Sequence, residues 1–297
     1  MTSYQLLPNL CFIGGGRTGA SLAFYFLRQG YSVISLIEKN PDRLDYLKKE
    51  FQWNFLNAGI DSRKLSTAEV IFLTVRDDHL PELAENLSKL KINWKDKLIL
   101  HCSGTLSSLV LKPLREVGAD IASFHPIYSF SLDPRENRLL NEVWFNLEGE
   151  SKILDKVEGL FNFKKDKFIR IKPDQRRAVH LACVFYANFY VALAQMSREL
   201  LKDLSIPEKK LFEIFRPLLQ SSVEQVLDHG PAGALTGPIT RADRKTLSAH
   251  LEYLRDHHPD LLPVYLILSH RLISLSNLSP KDKSDLTSIF QDYQLNF

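Results

Sequence analysis

Cysteine and surplus charge are both scarce in this chain of 297 residues. It has only three cysteines, Cys11, Cys102 and Cys183, and this odd, widely spaced set fits neither a disulfide framework nor a zinc site. All three stand in apolar sequence, which favours buried thiols in a reducing compartment. A net charge of +3 is too small for a nucleic-acid-binding protein or a polybasic membrane surface. We therefore expect no nucleic-acid partner and no metal.

Long hydrophobic runs are also rare. The first residues lack the basic stretch and long apolar run of a signal peptide, and we expect a cytoplasmic protein. The exception is residues 178–197, twenty positions without a charged residue, which is nearly the length of a membrane-spanning helix. This segment includes His180, Asn188 and Gln195, and a solitary membrane span rarely carries three such polar groups. We therefore expect a helix buried between domains or subunits, and no membrane partner.

Short apolar runs alternate with amphipathic helical patterns through the first half of the chain. This alternation is typical of a parallel α/β sheet. Strands are predicted over residues 10–13, 33–37, 70–75, 98–102, 121–124, 144–147 and 168–171. Helices are predicted between them over residues 18–29, 41–51, 80–90 and 152–160.

From Pro173 onward the pattern is almost wholly helical. Helices are predicted over residues 174–202, 207–229, 244–257 and 261–275. The sequence therefore predicts an α/β Rossmann domain with a mainly parallel sheet over residues 1–172. An all-α domain for substrate binding and dimerisation is predicted over residues 173–297.

A glycine-rich turn joins the first predicted strand to the first predicted helix. Its G-x-G-x-x-G pattern stands in the strand–turn–helix context of dinucleotide-binding βαβ units. The first glycine permits the tight turn, the second lets the pyrophosphate approach the backbone, and the third lets the helix pack on the strand. The helix start also offers its N–H groups to the phosphates. The predicted cofactor site begins with Gly14, Gly15, Gly16, Arg17, Thr18 and Gly19. The alternative is a glycine-rich turn without a ligand.

The end of the second predicted strand bears on the choice of cofactor. Glu38 stands there, nineteen residues after Gly19, and an acid at this point typically bonds the ribose hydroxyls and favours NAD. A solvent-facing glutamate is the alternative. Lys39 and Arg43 stand beside Glu38 and could instead hold the 2′-phosphate of NADP. We predict NAD or NADP, with a lean towards NAD.

Polar residues follow three further predicted strands, at the sheet edge where ligands bind in open α/β folds. Val75 and Arg76 are predicted to contact the cofactor. Ser103 and the N–H of Gly104 could hold a substrate carboxylate or carbonyl. His125 could move a proton to or from a substrate oxygen or nitrogen, since its ordinary pKa lies near working pH. The alternative for each is a cap on a strand or turn.

Two polar residues of the long predicted helix complete the candidate catalytic group. His180 and Asn188 lie on one broad side of that helix, about 80° apart at ~100° per residue. A histidine on a buried helix is often a satisfied structural group, and that alternative stays open. The predicted catalytic residues are Ser103, His125, His180 and Asn188.

The loop over residues 229–244 is rich in glycine and proline and almost uncharged until Arg241. Such a loop suits close packing against a ligand or the other domain. Thr236, Gly237 and Arg241 are predicted to bind substrate, with Arg241 pairing an anionic group. The alternative is that Arg241 belongs to a helix start capped by Asp243.

These motifs together resemble the bacterial proteins that join a Rossmann-like domain to a domain of unknown function and are commonly labelled NADP oxidoreductases. The resemblance covers about residues 10–275 and is carried by the glycine motif, Ser103-Gly104, Phe124-His125-Pro126, His180 with Asn188, and Ala234-Leu235-Thr236-Gly237-Pro238 with Arg241 and Asp243. The sequence departs from the family at Ala242, where the family has glycine before the aspartate.

More distantly, the layout is similar to pyrroline-5-carboxylate reductases, β-hydroxyacid dehydrogenases and prephenate dehydrogenases. The prephenate enzymes also have a serine after one strand and His-Pro after the next, as Ser103 and His125-Pro126 do here. The resemblance implies a helical domain of the 6-phosphogluconate-dehydrogenase C-terminal type that forms a homodimer. The helix lysine that serves as acid in the β-hydroxyacid enzymes is missing, so His180 or His125 would take that role.

The leading hypothesis is an oxidoreductase that transfers hydride between NAD(P) and a small carboxylate-bearing substrate with a C=O or C=N bond. The alternative from a different class is a sensor or scaffold that binds the dinucleotide without catalysis. A deazaflavin-linked NADP reductase is a third hypothesis.

Overall fold

Two compact units make up the chain, Met1–Asn188 and Phe189–Phe297. The computed structural model describes residues 7–161 and 166–293. The units divide inside the long helical stretch because its first residues, including the fully buried Arg176, pack within the first unit. The domain boundary drawn at residue 173 from the sequence stays a prediction.

An eight-stranded sheet forms the centre of the first unit, in the order β3-β2-β1-β4-β5-β6-β7-β8. Its strands are β1 (Asn9–Ile13), β2 (Ser32–Ile37), β3 (Leu56–Asn57), β4 (Val70–Leu73), β5 (Leu98–His101), β6 (Asp120–Pro126), β7 (Phe145–Gly149) and β8 (Phe168–Arg170). The pairing of β6 with β7 is antiparallel, and the other six pairings are parallel. The order of the first six strands is that of the Rossmann fold, which confirms the predicted α/β class.

Helices cover both faces of this sheet. They are α1 (Arg17–Arg28), α2 (Pro41–Phe51), α3 (Ser62–Thr67), α4 (Leu80–Ser88), α5 (Lys112–Glu116), α6 (Ser151–Leu160) and α7 (Arg176–Cys183). One core joins α1 and α6 to aromatic strand residues, with the rings of Phe12 and Phe72 stacked 4.7 Å apart. A second core joins α3, α4 and α5 to the opposite face. Strands buried on both faces explain the continuous apolar runs in the sequence.

The first unit differs from the predicted elements at several points, among them the unpredicted α5 and the earlier end of β4 at Leu73. β3 has two residues and α3 has six, which is too short for a periodic pattern to reveal. β6 continues through His125 and Pro126, which were expected to follow the strand. The antiparallel partner β7 extends it, because His125 pairs with Asn146 across the two strands.

Every described element of the second unit is helical. The main helices are α8 (Phe189–Leu200), α9 (Glu208–Ala234), α10 (Arg244–His257), α11 (Leu262–Leu275) and α12 (Pro280–Gln291). Their shared core includes Leu247, Leu251, Leu286 and Phe290. The all-α prediction is confirmed, although α12 was not predicted.

The glycine- and proline-rich loop begins later than the sequence indicates. α9 is interrupted at Gly230 (φ 69°, ψ 170°), and the chain then returns to helix as far as Ala234. Pro231 stands directly after the interruption, at a position where proline is favoured in a first helical turn. The first third of the predicted loop is therefore helical.

The long helical stretch contains an irregular turn. It starts with a 3₁₀ turn, Pro173–Gln175, and between α7 and α8 the residues Val184–Asn188 form a π-helix. Such turns are rare and occur frequently at functional sites. The stretch Pro173–Leu200 is long and apolar enough to cross a membrane by length and composition, and its apolar window is not buried within the chain. A single helix of this kind is weak evidence for a membrane span.

Replacing Gly19 by alanine is expected to lower the free energy of unfolding by about 1–3 kcal/mol. A Cβ atom there would lie 1.9 Å from the Gly14 carbonyl oxygen and 2.4 Å from Thr74 Oγ1. Urea unfolding measures the change. Gly159→Ala in α6 is the matched control, because its Cβ would meet no described atom within 4 Å. In that variant the free energy of unfolding should rise by roughly 0.5–1 kcal/mol, because alanine has a higher helix propensity than glycine. An equal effect at both positions would contradict the close packing of α1 on β1.

Candidate functional site

The glycine turn after β1 is shaped for a bound phosphate. Gly14 has a φ of +110°, and a Cβ there would lie 2.6 Å from the Thr74 carbonyl oxygen. Thr74 Oγ1 donates a 2.7 Å hydrogen bond to the Gly14 carbonyl, which holds the turn against β4. At Gly16, in contrast, a Cβ would meet no described atom within 4 Å. The turn is therefore closed on the protein side and open at the residue where a pyrophosphate would approach.

The start of α1 has free donors for such a group. The helix begins at Arg17, and among the described residues no side chain caps it and no acid stands in its first turn. The first N–H groups of a helix lack internal partners and carry a partial positive charge. Arg17 and Thr18 lie in this turn, with the Arg17 guanidinium donating to the Phe130 carbonyl at 3.3 Å. These features fit the diphosphate of a nicotinamide dinucleotide.

An acid and a cation both stand beside the turn. Glu38 Oε1 accepts a 2.7 Å bond from the N–H of Asn40, and a Cβ on Gly15 would lie 2.9 Å from Glu38 Cβ. Arg43 Nε donates to the Gly15 carbonyl at 3.0 Å, while its Nη1 has no hydrogen-bond partner in the described part of the chain. The lean towards NAD is therefore not supported, because a guanidinium contacts the turn that Glu38 borders.

The two remaining predicted cofactor residues follow β4. The backbone nitrogen of Val75 would lie 3.0 Å from a Cβ on Gly14, so Val75 borders the glycine turn. The side chain of Arg76 is exposed and forms a 3.1 Å ion pair with Asp78. Val75 is thus brought to the predicted cofactor site, and Arg76 is engaged at the surface beside it.

Two histidines meet over the turn that follows β5. The rings of His125 and His180 have their centroids 6.2 Å apart, at 60° to each other. A Cβ on Gly104 would lie 2.3 Å from His180 Cδ2 and 2.9 Å from His125 Nε2. The structure therefore brings Gly104, His125 and His180 together, and only glycine fits between these rings.

Ser103 is tied into the same turn. Its Oγ accepts hydrogen bonds from the N–H groups of Thr105 and Leu106, and donates to Asp77 Oδ2 at 2.7 Å. Thr105 Oγ1 donates to the same carboxylate oxygen at 2.7 Å. The donor and both lone pairs of the Ser103 hydroxyl are thus engaged, as in a capped turn. Its role in substrate binding stays a prediction.

A buried ion pair beneath this turn was not predicted from the sequence. Arg176 is fully buried, its Nη1 lies 3.7 Å from Glu148 Oε2, and its Nη2 donates to the Ser103 carbonyl. Glu148 also accepts from the N–H of Ser108 at 2.6 Å and from its hydroxyl at 2.9 Å. The pair joins α7 to β7 and to the Ser103 turn. Removing one partner would leave a buried charge, which typically costs about 3–5 kcal/mol.

Polar residues also alternate on one face of β6 and β7. Ser123 pairs with Glu148 and His125 with Asn146 in the antiparallel register, and His101 of β5 pairs with Ser123. All but His125 are buried. Polar residues spaced two apart within otherwise apolar strands were the sequence signal that could have revealed this cluster. Strands of a buried sheet rarely carry such residues unless their side chains have hydrogen-bond partners.

Burial and positive charge keep two of these histidines neutral. Burial, together with Arg176 and His180, lowers the pKa of His125 to about 4, which the charge of Asp77 partly opposes. Burial and Arg176 lower the pKa of His101 to about 3. The ordinary histidine pKa assumed for His125 in the sequence analysis therefore does not hold in the folded chain, and at neutral pH the ring is uncharged.

We expect the chain to lose stability as the pH falls below about 6.5, the ordinary histidine pKa. Between that pH and the lowered values of His125 and His101, the unfolded chain binds more protons than the folded one. The slope of unfolding free energy against pH should approach the equivalent of about two protons. Urea unfolding from pH 7 to 4 measures it. His101→Asn keeps an acceptor for the Ser103 N–H. In this variant the slope of unfolding free energy against pH should fall by the equivalent of about one proton. An unchanged slope would contradict a neutral His101.

The other predicted site residues are placed separately. Asn188 ends the π-helix of the first unit, with its side chain exposed. Thr236, Gly237 and Arg241 belong to the second unit, where Gly237 has a φ of +94° and its carbonyl accepts from Thr240 Oγ1 at 2.8 Å. Their contribution to a site with the histidines stays a prediction.

The segment after Arg241 is a capped helix start, as the alternative interpretation predicted. Asp243 accepts a 3.1 Å hydrogen bond from the N–H of Thr246 and caps α10. Ala242 has a φ of 49° and lies in the left-handed region, which explains why glycine would suit this position.

The chain thus combines a Rossmann sheet, a glycine turn that fits a dinucleotide and an all-α second unit, and its N-terminal part is of the NADP-oxidoreductase type. Residues 9–104 match the family described as NADP oxidoreductase, coenzyme F420-dependent. Residues 143–272 match a domain of unknown function, DUF2520. The chain therefore joins an NADP-oxidoreductase-type domain to a DUF2520 domain, which confirms the resemblance inferred from the motifs. No curated protein matches the chain.

Solved structures share this fold over nearly the whole chain. A protein from Bacteroides fragilis, provisionally described as an NADP oxidoreductase, is 22% identical and superposes with a TM-score of 0.71, covering 90% of this chain and 98% of its own. A pyrroline-5-carboxylate reductase from Coxiella burnetii is 12% identical and superposes with a TM-score of 0.53, covering 97% of this chain and 99% of its own. An imine reductase from Myxococcus stipitatus, solved with NADP+, is 17% identical and superposes with a TM-score of 0.53, covering 96% of this chain and 93% of its own. At these identities the likeness shows the fold alone.

Proposed function

We propose that this protein transfers hydride between NAD(P) and a small carboxylate-bearing substrate with a C=O or C=N bond, as a cytoplasmic enzyme. One observation carries the proposal. His125 and His180 pack on Gly104, next to the carboxyl end of β5, in the sheet whose first turn fits a dinucleotide. In open α/β sheets this edge is the ligand-binding edge.

Each group has a separate task in this proposal. The bound nicotinamide supplies or accepts the hydride. The turn from Gly14 to Gly19 and the start of α1 hold the diphosphate, and Glu38 or Arg43 binds the adenosine ribose or its 2′-phosphate. His125 and His180 contact the substrate atom on which charge develops as the hydride moves. A polar group fixed at that atom before the reaction lowers the barrier, since it need not reorient.

The second unit has polar groups of its own that suit a carboxylate. Arg241 is exposed, and a guanidinium matches a carboxylate through two parallel hydrogen bonds. Thr236 and the N–H of Gly237 are neutral donors of the same unit, and Asn188 of the first unit stays a predicted polar contact. A substrate without a carboxylate should therefore raise KM more than it lowers kcat.

A substrate screen with NADPH and NADH tests the proposal. Cyclic imines, 2-keto acids and 3-keto acids, each with and without a carboxylate, should include at least one substrate whose reduction oxidises the cofactor. A reduced deazaflavin belongs in the same screen with NADP, because residues 9–104 match a family described by that coenzyme. Dinucleotide binding without turnover of any of these would contradict the proposal and favour a sensor or scaffold.

We also propose that the protein is a homodimer through its helical half. Leu218 and Leu227 of α9 are 65% and 78% exposed, and Val191 of α8 is 67% exposed. A monomer rarely leaves so much apolar surface in contact with water. A second copy would cover both helices, whereas a bilayer would accommodate the uncharged residues 178–197 but not the charged face of α9.

Light scattering at micromolar concentration should give twice the mass of one chain. Leu227→Arg should shift the mass towards the monomer, because it places a charge in the proposed interface. Leu109→Arg, at a leucine 54% exposed in the first unit, is the matched control and should leave the mass unchanged. A monomeric mass for the unaltered chain would overturn the proposed dimer.

A further inference from the structure

The neighbour of His125 on β7 determines which ring nitrogen carries the proton. The two strands place His125 opposite Asn146, and Asn146 Nδ2 lies 2.9 Å from His125 Nδ1. Asn146 is 1% exposed, so water does not compete for this contact. With its nitrogen towards the ring, the Asn146 amide can only donate, and this orientation leaves its Oδ1 without a hydrogen-bond partner in the described part of the chain. In that arrangement the Nδ1 that receives the hydrogen is unprotonated. A neutral imidazole with a bare Nδ1 carries its proton on Nε2.

The other ring nitrogen faces the candidate site. A Cβ on Gly104 would lie 2.9 Å from His125 Nε2, so the backbone of Gly104 packs closely against this ring nitrogen. Among the described residues, the titratable or charged groups around the ring are His101, Asp77, Arg176 and His180. Arg176 and the burial of the ring oppose a second proton, so the position of the single proton decides what the ring can do.

We propose that Asn146 is a positioning residue that holds His125 in the Nε2–H tautomer, which makes His125 a hydrogen-bond donor to the substrate oxygen or nitrogen. This inference rests on the proposed function, in which His125 contacts the reacting atom. Hydride addition to a C=O or C=N bond moves an electron pair onto the oxygen or nitrogen, and a fixed N–H group stabilises the charge that develops there. A neutral imidazole can polarise a carbonyl in this way.

The same tautomer excludes a second role for this histidine. A general base that takes a proton from a substrate hydroxyl or amine needs a lone pair on Nε2, where this tautomer has a hydrogen. The proton that completes the reduced product must therefore come from another group or from water, or the substrate must arrive already protonated, as an iminium ion does. His125 donates a hydrogen bond and keeps its proton.

Nitrogen-15 NMR of the histidine rings tests the tautomer directly. In the unaltered protein, Nε2 of His125 should show the shift of a protonated ring nitrogen and Nδ1 that of an unprotonated one, unchanged from pH 8 to 5. Asn146→Asp replaces the donor by a carboxylate, which only accepts. In that variant Nδ1 should become protonated and the ring should titrate at higher pH. Asn86→Asp, at an exposed asparagine of α4, is the matched control and should change neither signal.

Turnover supplies a second readout. At a pH above that at which its ring titrates, Asn146→Asp should lower kcat on the order of 10²–10⁴-fold, the contribution of a positioned histidine, with unchanged affinity for NAD(P)H. Asn146→Ala, which removes the donor without adding an acceptor, should lower it less. An Nδ1–H tautomer in the unaltered protein overturns the inference even if both variants fail to fold, and so does a folded Asn146→Asp variant with an unmoved signal. The predicted tautomer without turnover of any substrate would overturn the proposed function instead.

Discussion

Gly16→Val is expected to abolish binding of NAD(P) and NAD(P)H without unfolding the protein. A Cβ at Gly16 would meet no described atom within 4 Å, so the folded chain has room for the new side chain. That open space is the one through which the pyrophosphate would approach the backbone N–H groups at the start of α1. The two methyl groups of valine would occupy it. Isothermal titration calorimetry should therefore show no saturable heat, while the unfolding midpoint in urea should stay close to that of the parent.

Gly59→Val is the matched control for that substitution. A Cβ at Gly59 would also meet no described atom within 4 Å, and the residue is exposed outside the glycine turn. This variant should bind the dinucleotide as the parent does. If Gly16→Val folded normally and bound with unchanged affinity, the turn could not be the phosphate site, and the proposed function would lose its cofactor site.

His125→Asn is expected to lower kcat on the order of 10²–10⁴-fold and to leave cofactor affinity unchanged. The residue borders Gly104 after β5, whereas the phosphate site lies at the turn after β1. Asparagine is smaller and retains a polar amide, so the hydrogen bond to Asn146 can partly survive while the N–H group at the position of Nε2 is lost. Steady-state kinetics with a substrate found in the screen measures the effect.

His257→Asn is the matched control, because His257 lies exposed at the end of α10. It should leave kcat and KM unchanged. A sensor or scaffold would behave differently, since it would show no turnover and His125→Asn would change local stability alone. Full activity in a correctly folded His125→Asn variant would remove His125 from the catalytic group.

The parts of the site that follow from local sequence were predictable. The glycine turn is read from residues close together in the chain, because a strand, a tight turn and a helix start must follow one another. α10 has the predicted bounds, since its amphipathic pattern and the cap at Asp243 are both local signals. Ser103 and His125 were predicted from strand ends, although β6 extends past the expected end through its pairing with β7.

The parts that depend on pairing distant segments were not predictable from one sequence. Asn146 meets His125 only because β6 and β7 run antiparallel in one particular register, and a shift of one residue would turn Asn146 to the other face. In the sequence, Arg176 looks like an ordinary charged residue near a helix start, yet in the structure it is fully buried against Glu148. Burial also changed the chemistry of His125, whose pKa depends on neighbours from two separate segments, α7 and the turn after β4.

Calorimetric titration of the unaltered protein with NAD, NADH, NADP and NADPH tests the central claim most directly. The claim is that the turn from Gly14 to Gly19 binds a nicotinamide dinucleotide. We predict saturable binding, at one dinucleotide per chain, of NAD and NADH, of NADP and NADPH, or of both pairs. The difference in affinity between the pairs with and without the 2′-phosphate will show whether Glu38 or Arg43 determines the cofactor preference. An absence of binding heat with all four dinucleotides, at concentrations up to about a millimolar where typical cofactor sites are filled, would contradict the account.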